Sequence, residues 1–502
     1  MTLSLPIDGT LLMVGGLMLV AILVASARDR LQVPGALLLL GLGMLVADDG
    51  LALVRFDATD LARDVGIAAL VVILFEGGLT TKPSDLRRGG LPGFALANVG
   101  VLVTTGVTGA SLVLLVGLDW QTALLLGAIV SSTDAAAVFD LLRRAPLPRR
   151  LAAAIEVESG ANDPFAVILT VGLLATIEGD VSAADWLVFG LQQLVGGVIV
   201  GVAIGAAGAW LLRTVPLPAQ GLYPVAAFAI ASLTYGAGAS LGASGLFATY
   251  IAGIIIGTRV PRHRRVIRNF STSFAHTAEI GLFLLLGLLV FPSELPEVAL
   301  PALGVTAILI LVARPLAVAV SLAPFRFGWR EQVVVSWAGL RGAVPIVLAT
   351  FPFTAGLDSA NTVFHVVFFV VLVSVTVQGL TVVPLVRRLG LATDRPAWES
   401  VADALPLDVA EATIVELTIT PDMAAAGRAL ADLPRVPGLL VATVVRDTDV
   451  LVPTGDTVLQ PGDLALVTVS DADDAAARVS AWARGEQGGP SRDPDGRGTI
   501  DA

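Results

Sequence analysis

Residues 156–167 read EVESGANDPFAV and sit near the middle of a hydrophobic stretch. Glu158, Asn162 and Asp163 therefore fall where hydrocarbon is expected. Ionisable side chains at that depth are costly, and by default they mark an ion or proton path. Helical spacing sorts them. Ser159 and Asp163 stand four residues apart and share one face, as Glu158 and Asn162 do on the neighbouring face. The first face can offer a hydroxyl and a carboxylate to an ion. The second can hold a carboxylate that pairs with a buried arginine.

Two other apolar stretches carry polar interruptions, Ser131-Ser132-Thr133-Asp134 and Gly339-Leu340-Arg341-Gly342 followed by Pro345. Breaks in a helix are tolerated at membrane depth only where the backbone lines a cavity or neighbours satisfy it. Counting residues from the nearest span end puts Asp163 roughly 18–20 Å deep and Arg341 roughly 15 Å deep, at 1.5 Å per residue. Asp134 lies at a similar depth, so the three are expected to meet near the midplane. Arg341 is the expected partner of Glu158, because an unpaired buried charge is costly. Glu76 lies closer to the cytoplasmic end of its span and reads as the wall of an inward-facing entrance. Arg314, beside Pro315, reads as a structural pair. Glu156 is expected to pair with the adjacent basic loop, and Glu279 to have a local helix or lipid-interface role. His263, His276 and His365 read as structural or exposed.

The elements that must position these groups follow from composition. The chain has 502 residues, 55% hydrophobic and 15% charged, with a mean hydropathy of +0.84. That composition belongs to a polytopic membrane protein. With no cysteine, disulfides, thiolate metal sites and cysteine nucleophiles are excluded. The first apolar stretch, from Thr10, lacks a preceding basic region and reads as a retained span. Windows of about 20 apolar residues predict about thirteen transmembrane helices. Glu76 falls in the third, Asp134 in the fifth, Asp163 in the sixth and Arg341 in the twelfth. The fifth and twelfth run in opposite directions. Interrupted helices at matching places in opposed halves point to inverted repeats with a transport site between two crossing helices.

Loop charge orients the chain. One set of alternate loops holds nineteen basic residues and the other only Arg55 and Arg63. This predicts an outside N-terminus and a cytoplasmic C-terminus in the cell (inner) membrane. From Met1 to Gly390 acidic and basic residues balance. Residues 391–502 hold 19 acidic and 8 basic residues and so carry the whole net charge of −11. An acidic balance argues against nucleic acid as a partner. Two domains of different character are therefore expected: a membrane domain over 1–390 and, after a linker at 391–410, a small α+β domain over 411–485. Residues 486–502 read as a disordered tail. Within the small domain, strands are predicted over 412–420, 439–445, 450–452 and 463–469. Helices are predicted over 422–433 and 473–484.

Four stretches together resemble the monovalent cation:proton antiporter superfamily, in its electroneutral NhaP-like branch. They are Phe75-Glu76-Gly77-Gly78-Leu79, Ser132-Thr133-Asp134, Glu158-Ser159-Gly160-Ala161-Asn162-Asp163-Pro164 and Gly339-Leu340-Arg341-Gly342-Ala343. The similarity spans Met1 to Gly390. It implies that Asp163 alternately carries a proton or a monovalent cation. Glu76, Thr133, Asp134 and Ser159 would complete the ion's shell, with Asn162 holding the site and Glu158 and Arg341 forming an ion pair. The electrogenic branch resembles Asp-Asp with an intramembrane lysine. Here Asn162 precedes Asp163, and Lys82, the only lysine, lies in a loop. The implied reaction is electroneutral exchange, one proton for one cation.

The C-terminal part resembles the TrkA-C domain of potassium-regulating RCK modules, through Gly427-Arg428, Pro437-Gly438, Val444 to Asp447, Pro453-Thr454-Gly455-Asp456 and Pro461-Gly462-Asp463. That resemblance favours potassium as the cation, with sodium the close second. It also implies pairing into a homodimer and possible binding of a small regulatory nucleotide. No glycine-rich dinucleotide loop precedes the domain, so no NAD site and no cofactor are expected. A regulated potassium channel is disfavoured, because no TVGYG-like filter is present. A membrane-bound enzyme is disfavoured by the lack of a nucleophile–base pairing.

Overall fold

The computed structural model describes residues 6–26, 34–54, 56, 58–81, 83–134, 138, 145, 147–179, 182–260, 263–392, 403–406, 412–446, 449–470 and 475–485. The linker's remaining residues, the 486–502 tail, Lys82 and Arg55 lie outside that set. The chain divides into two compact units, one holding Met1–Val260 and Val266–Thr393 and the other holding Pro261–Arg265 and Asp394–Ala502.

The first unit is helical. Among the described residues seven helices are long and apolar enough to cross a membrane: Gly89–Leu115, Arg149–Ile177, Ala184–Thr214, Leu222–Ser240, Arg264–Leu288, Leu295–Phe325 and Ala360–Arg388. Five shorter apolar helices accompany them, among them Trp120–Ile129 and Gly245–Arg259. The first unit is thus a polytopic helical membrane structure.

Glycine decides where the helices touch. Gly78 on the Thr59–Thr80 helix and Gly253 on Gly245–Arg259 face each other: a Cβ on either would lie 3.0 or 3.1 Å from the other's Cα. This contact accounts for one glycine of the Phe75–Leu79 motif. Gly77 faces open space. Two long helices contain a single wider turn, at Leu96–Gly100 and at Leu309–Ala313. The second lies just before Pro315. Proline has no N–H to donate and crowds the preceding turn, so the helix accommodates it by locally changing its hydrogen-bond register.

The predicted interruptions occur. The Trp120–Ile129 helix stops, and Ser132, Thr133 and Asp134 continue as irregular chain. The Trp329–Trp337 helix stops likewise, and helix resumes only at Ala343–Leu348. The Arg149–Glu178 helix, by contrast, runs unbroken through Pro164.

The described residues of the second unit form a five-stranded antiparallel sheet with one α-helix. Strands β1 (Asp403–Pro406), β2 (Ala412–Thr418), β3 (Leu439–Arg446), β4 (Asp449–Leu451) and β5 (Leu464–Ser470) are ordered β1-β2-β5-β3-β4. β1 falls inside the stretch read as linker. The helix Ala475–Ala483 contributes Val479 and Trp482 to a core with Val415, Leu417, Val444 and Val467. The helix expected over 422–433 is absent from that position. Gly427 adopts φ +75°. The backbone N–H groups there bond across the domain, Gly427 to Leu459, Leu430 to Thr457 and Ala431 to Gly455. Only a 3-10 turn, Leu430–Asp432, remains. Tertiary partners for the backbone outcompete the local helical pattern.

An ion pair between half-buried Arg446 and buried Asp463 ties this domain together. The Asp463 carboxylate accepts from Arg446 Nε and Nη2, both at 2.8 Å, and from the Gln460 backbone N–H at 2.8 Å. This joins the end of β3 to the start of β5. The Arg446 hydrogen bonds hold the Asp463 carboxyl below the usual carboxylate range. A carboxyl with a lowered folded-state pKa contributes stability that is present above its unfolded pKa and is lost as pH falls through the folded one. Amide protection of β3 and β5 in the full-length protein, corrected for intrinsic exchange, is therefore expected to fall as pH drops below about 4. Asp463→Asn is expected to cost roughly 2 kcal/mol at neutral pH and to flatten that acid response. An unchanged acid response in the variant would refute the assignment.

Candidate functional site

The two interrupted segments cross each other. The Asp134 backbone N–H donates to the Leu340 carbonyl at 2.8 Å, joining them directly. Past the end of the Trp120–Ile129 helix, the carbonyls of the unwound chain have no helical partners. Here Arg341 supplies them: its Nη1 donates to the Ser131 and Ser132 carbonyls at 2.7 and 2.8 Å. A cation at a helix C-terminus is also favoured by the helix dipole. The second break is closed from the Ala360–Arg388 helix. Gln378 Nε2 donates to the Trp337 carbonyl at 3.0 Å. Ser374 Oγ accepts from the Arg341 backbone N–H at 3.2 Å and donates to Gln378 Oε1 at 2.6 Å. Ser374, Gln378 and Arg341 are all buried.

The Arg149–Glu178 helix lies against this crossing with its polar face. Ser159 Oγ donates to the Thr133 carbonyl at 3.2 Å, and Asn162 Nδ2 donates to Thr133 Oγ1 at 2.6 Å. Asp163, 9% exposed, accepts a hydrogen bond from Ser132 Oγ. Pro164 has no N–H, so the Gly160 carbonyl one turn earlier loses its helical donor. Asp134 packs against Gly342, whose Cβ, if present, would stand 2.6 Å from the Asp134 Cβ. Asp163, Ser159, Asn162, Thr133, Asp134 and Arg341 are thus brought together around the two breaks.

The expected Glu158–Arg341 pair does not form. Glu158 makes its salt bridge with Arg314, and both side chains are at most 3% exposed. Arg314 also donates to the Val335 carbonyl at 3.4 Å, and it passes over Gly339, where a Cβ would approach its Nε to 2.6 Å. The physical reason is competition. The orphaned carbonyls of the first break hold the Arg341 guanidinium, which leaves Glu158 to the other buried arginine.

Glu76 sits apart from these hydrogen bonds. Its carboxylate accepts from Thr272 Oγ1 at 2.9 Å, on the Arg264–Leu288 helix. That helix also carries Arg268, His276 and Glu279, the charged neighbours of Glu76. Their spacing of three or four residues lines one helix face. His276 lies 3.6 Å from Glu279, and His365 lies 3.4 Å from Glu294. Ser132, Thr272, Ser374 and Gln378 are contacts that sequence reasoning did not single out as site residues. For Thr272 the signal was available, as a polar stripe through an otherwise apolar span.

The set is rich in oxygen: carboxylates, hydroxyls and freed carbonyls. Hard cations take such ligands. Among the described residues no group of three or more His, Cys, Asp or Glu side chains forms a metal cluster.

The sequence matches the family description "Sodium/hydrogen exchanger, transmembrane" over residues 16–388 and "TrkA-C domain" over residues 414–480. It is 39% identical over 458 residues to the K(+)/H(+) antiporter NhaP2 of Shewanella sp. strain MR-4, covering 89% of this chain and 79% of that one. It is 37% identical over 477 residues to the K(+)/H(+) antiporter NhaP of Alkalimonas amylolytica, covering 93% and 82%. The fold is similar to that of the sodium proton antiporter MjNhaP1 from Methanocaldococcus jannaschii. The TM-score is 0.67 at 24% identity, over 75% of this chain and 97% of that one.

Two stability measurements test the geometry. Glu158→Gln leaves Arg314 buried without its partner and is expected to cost about 3–5 kcal/mol. The Glu158→Gln/Arg314→Met double variant should recover part of that loss in thermal unfolding, whereas pairing Glu158→Gln with Arg341→Met should not. Recovery with Arg341 instead of Arg314 would overturn the pairing. Gly342→Ala is expected to cost about 1–3 kcal/mol through overpacking against Asp134. Gly304→Ala, which faces open space, should be neutral or slightly stabilising.

Proposed function

The chain belongs to the sodium/hydrogen exchanger family and is a cation:proton antiporter, and from that premise we propose an electroneutral potassium/proton exchanger working by alternating access around Asp163. The observation that carries this reading is a charge count at the crossing. Among the described residues two arginines are buried, and both are engaged elsewhere: Arg341 with the Ser131 and Ser132 carbonyls, Arg314 with Glu158. The hydrogen-bond partner of Asp163 is a hydroxyl. A carboxylate buried without a fixed countercharge must be neutralised by something that comes and goes. A proton or a monovalent cation fulfils that role, and the two compete for one group.

Asp163 would bind the ion directly. Ser159 supplies a further oxygen from the same helix, Thr133 and Asp134 supply others from the unwound chain, and Glu76 adds a carboxylate nearer the entrance. Asn162 fixes Thr133, and Glu158, Arg314 and Arg341 hold the crossing rigid. When either ion neutralises Asp163 the site can cross the barrier, and an empty, charged site cannot. One carboxylate exchanging one proton for one cation moves no net charge. No cofactor enters the cycle.

Potassium is favoured by the attached TrkA-C domain and by the names of the relatives above. In this reading the membrane unit has thirteen spans in inverted repeats. The seven-span spacing between the two wide helical turns, and between the two broken helices, supports that arrangement. The N-terminus lies outside and the C-terminal domain is cytoplasmic, acting as a pairing and regulatory module in a homodimer. The physiological role is cation and pH homeostasis.

The test uses everted vesicles with a pH-sensitive dye, adding potassium, sodium, rubidium and lithium in turn. Wild type is expected to exchange potassium best and to give no transport current under voltage clamp. Asp163→Asn is expected to lose exchange to background. Normal exchange by that variant would remove Asp163 from the reaction. A measurable current would rule out electroneutrality, and a sodium preference would make sodium the substrate.

A further inference from the structure

The Ala183–Thr214 and Gly245–Arg259 helices pack at very close range. A Cβ on Gly201 would lie 3.0 Å from the Ala248 Cα, and one on Gly205 would lie 2.8 Å from the Ala252 Cα. The contacts advance together along both chains, so the helices run parallel and end at the same level. Each ends on an arginine in its last turn, Arg213 and Arg259. Between those ends lies a cavity of about 350 Å³, lined by Ala206, Ala209, Trp210, Arg213, Thr214 and Arg259.

Three features of this cavity are not explained by folding. Neither arginine makes an ion pair or side-chain hydrogen bond among the described residues. Trp210 is 64% exposed, and its indole N–H has no acceptor among the described residues. Leading to the cavity along the same helix face are Val195, Val198 and Val202, all exposed. Their spacing of three and four continues through Ala206 and Ala209 to Arg213. The face therefore offers hydrocarbon contact along its length and two cations with an indole donor at its end.

We propose that this cavity binds the phosphate-bearing headgroup of an anionic lipid, with an acyl chain along the Val195–Ala209 face. Paired guanidiniums suit phosphate oxygens. Basic pockets between transmembrane helices take anionic headgroups, and tryptophan favours that depth. Helix dipoles alone would account for one arginine at each helix end. They do not account for a shared cavity or for the apolar track that runs into it. The site requires only that the two helices cross a bilayer, so it stands or falls separately from the exchange reaction.

The test compares the full-length protein with the Arg213→Gln/Arg259→Gln variant in neutral detergent. Each receives dioleoylphosphatidylglycerol, dioleoylphosphatidylcholine or sodium phosphate at matched ionic strength. Thermal midpoint and native mass spectrometry are the readouts. Wild type is expected to retain phosphatidylglycerol in preference to phosphatidylcholine and to gain several degrees from it. The variant should bind it roughly thirty-fold more weakly, from about one arginine's worth of attraction lost twice, and lose most of that gain. Arg213→Lys/Arg259→Lys should retain binding in large part. Equal retention of the two lipids by wild type, undiminished phosphatidylglycerol binding by the glutamine variant, or full stabilisation by inorganic phosphate alone would each overturn the proposal. The first readout needs only wild type, so a variant that fails to fold does not shield the idea.

Discussion

A helix broken inside hydrocarbon leaves carbonyl groups that no water can reach. The donation from Arg341 to the Ser131 and Ser132 carbonyls answers that problem, and much else follows from it. Once the guanidinium is fixed there, Glu158 must find its cation elsewhere and takes Arg314. With Arg341 and Arg314 engaged, the hydrogen-bond partner of Asp163 among the described residues is a hydroxyl. The polar pairing at the crossing thus begins as a backbone problem: satisfying the broken ends decides which buried carboxylate meets an arginine and which meets a hydroxyl among the described residues.

The neighbouring side chains divide along the same line. Asn162, Ser374 and Gln378 hold backbone or each other and keep the crossing in one arrangement. Ser159 and Asn162 join the long helix to Thr133, and the Asp134 backbone N–H joins the two breaks. Glu76 belongs to a different contact, with Thr272, on a helix whose charged face includes Arg268, His276 and Glu279. The crossing and the Glu76 face are therefore two polar surfaces, separately built.

Much of this was legible in the sequence. Apolar run lengths and the asymmetry of basic loops identify a polytopic membrane protein. Polar runs such as Ser131–Asp134 and Gly339–Gly342 announce broken helices, because nothing else tolerates them at depth. What spacing could not give was azimuth. Counting residues from a span end estimates how deep Arg341 and Arg314 lie, but not which way either points, so the partner of Glu158 was assigned to the wrong one. The C-terminal domain repeats the lesson. The strands were visible from alternation, whereas the segment after Asp422 has a helical pattern that cross-domain partners for Gly427, Leu430 and Ala431 override. The Asp403–Pro406 strand is a short edge segment whose identity depends on β2 beside it.

The reciprocal glycine contact between the Thr59–Thr80 and Gly245–Arg259 helices has a mechanical consequence. Where two helices meet through side chains, rotamer changes can absorb a small slide. Here Gly78 and Gly253 bring backbone onto backbone, and no rotamer exists to yield. Such a seam behaves as a weld: a shear of one helix along the other by even a fraction of a turn would drive main-chain atoms into each other. The helix that carries Glu76 is thereby bolted to its neighbour as one rigid body, and whatever deformation a working cycle demands has to be taken up along some other joint of the molecule.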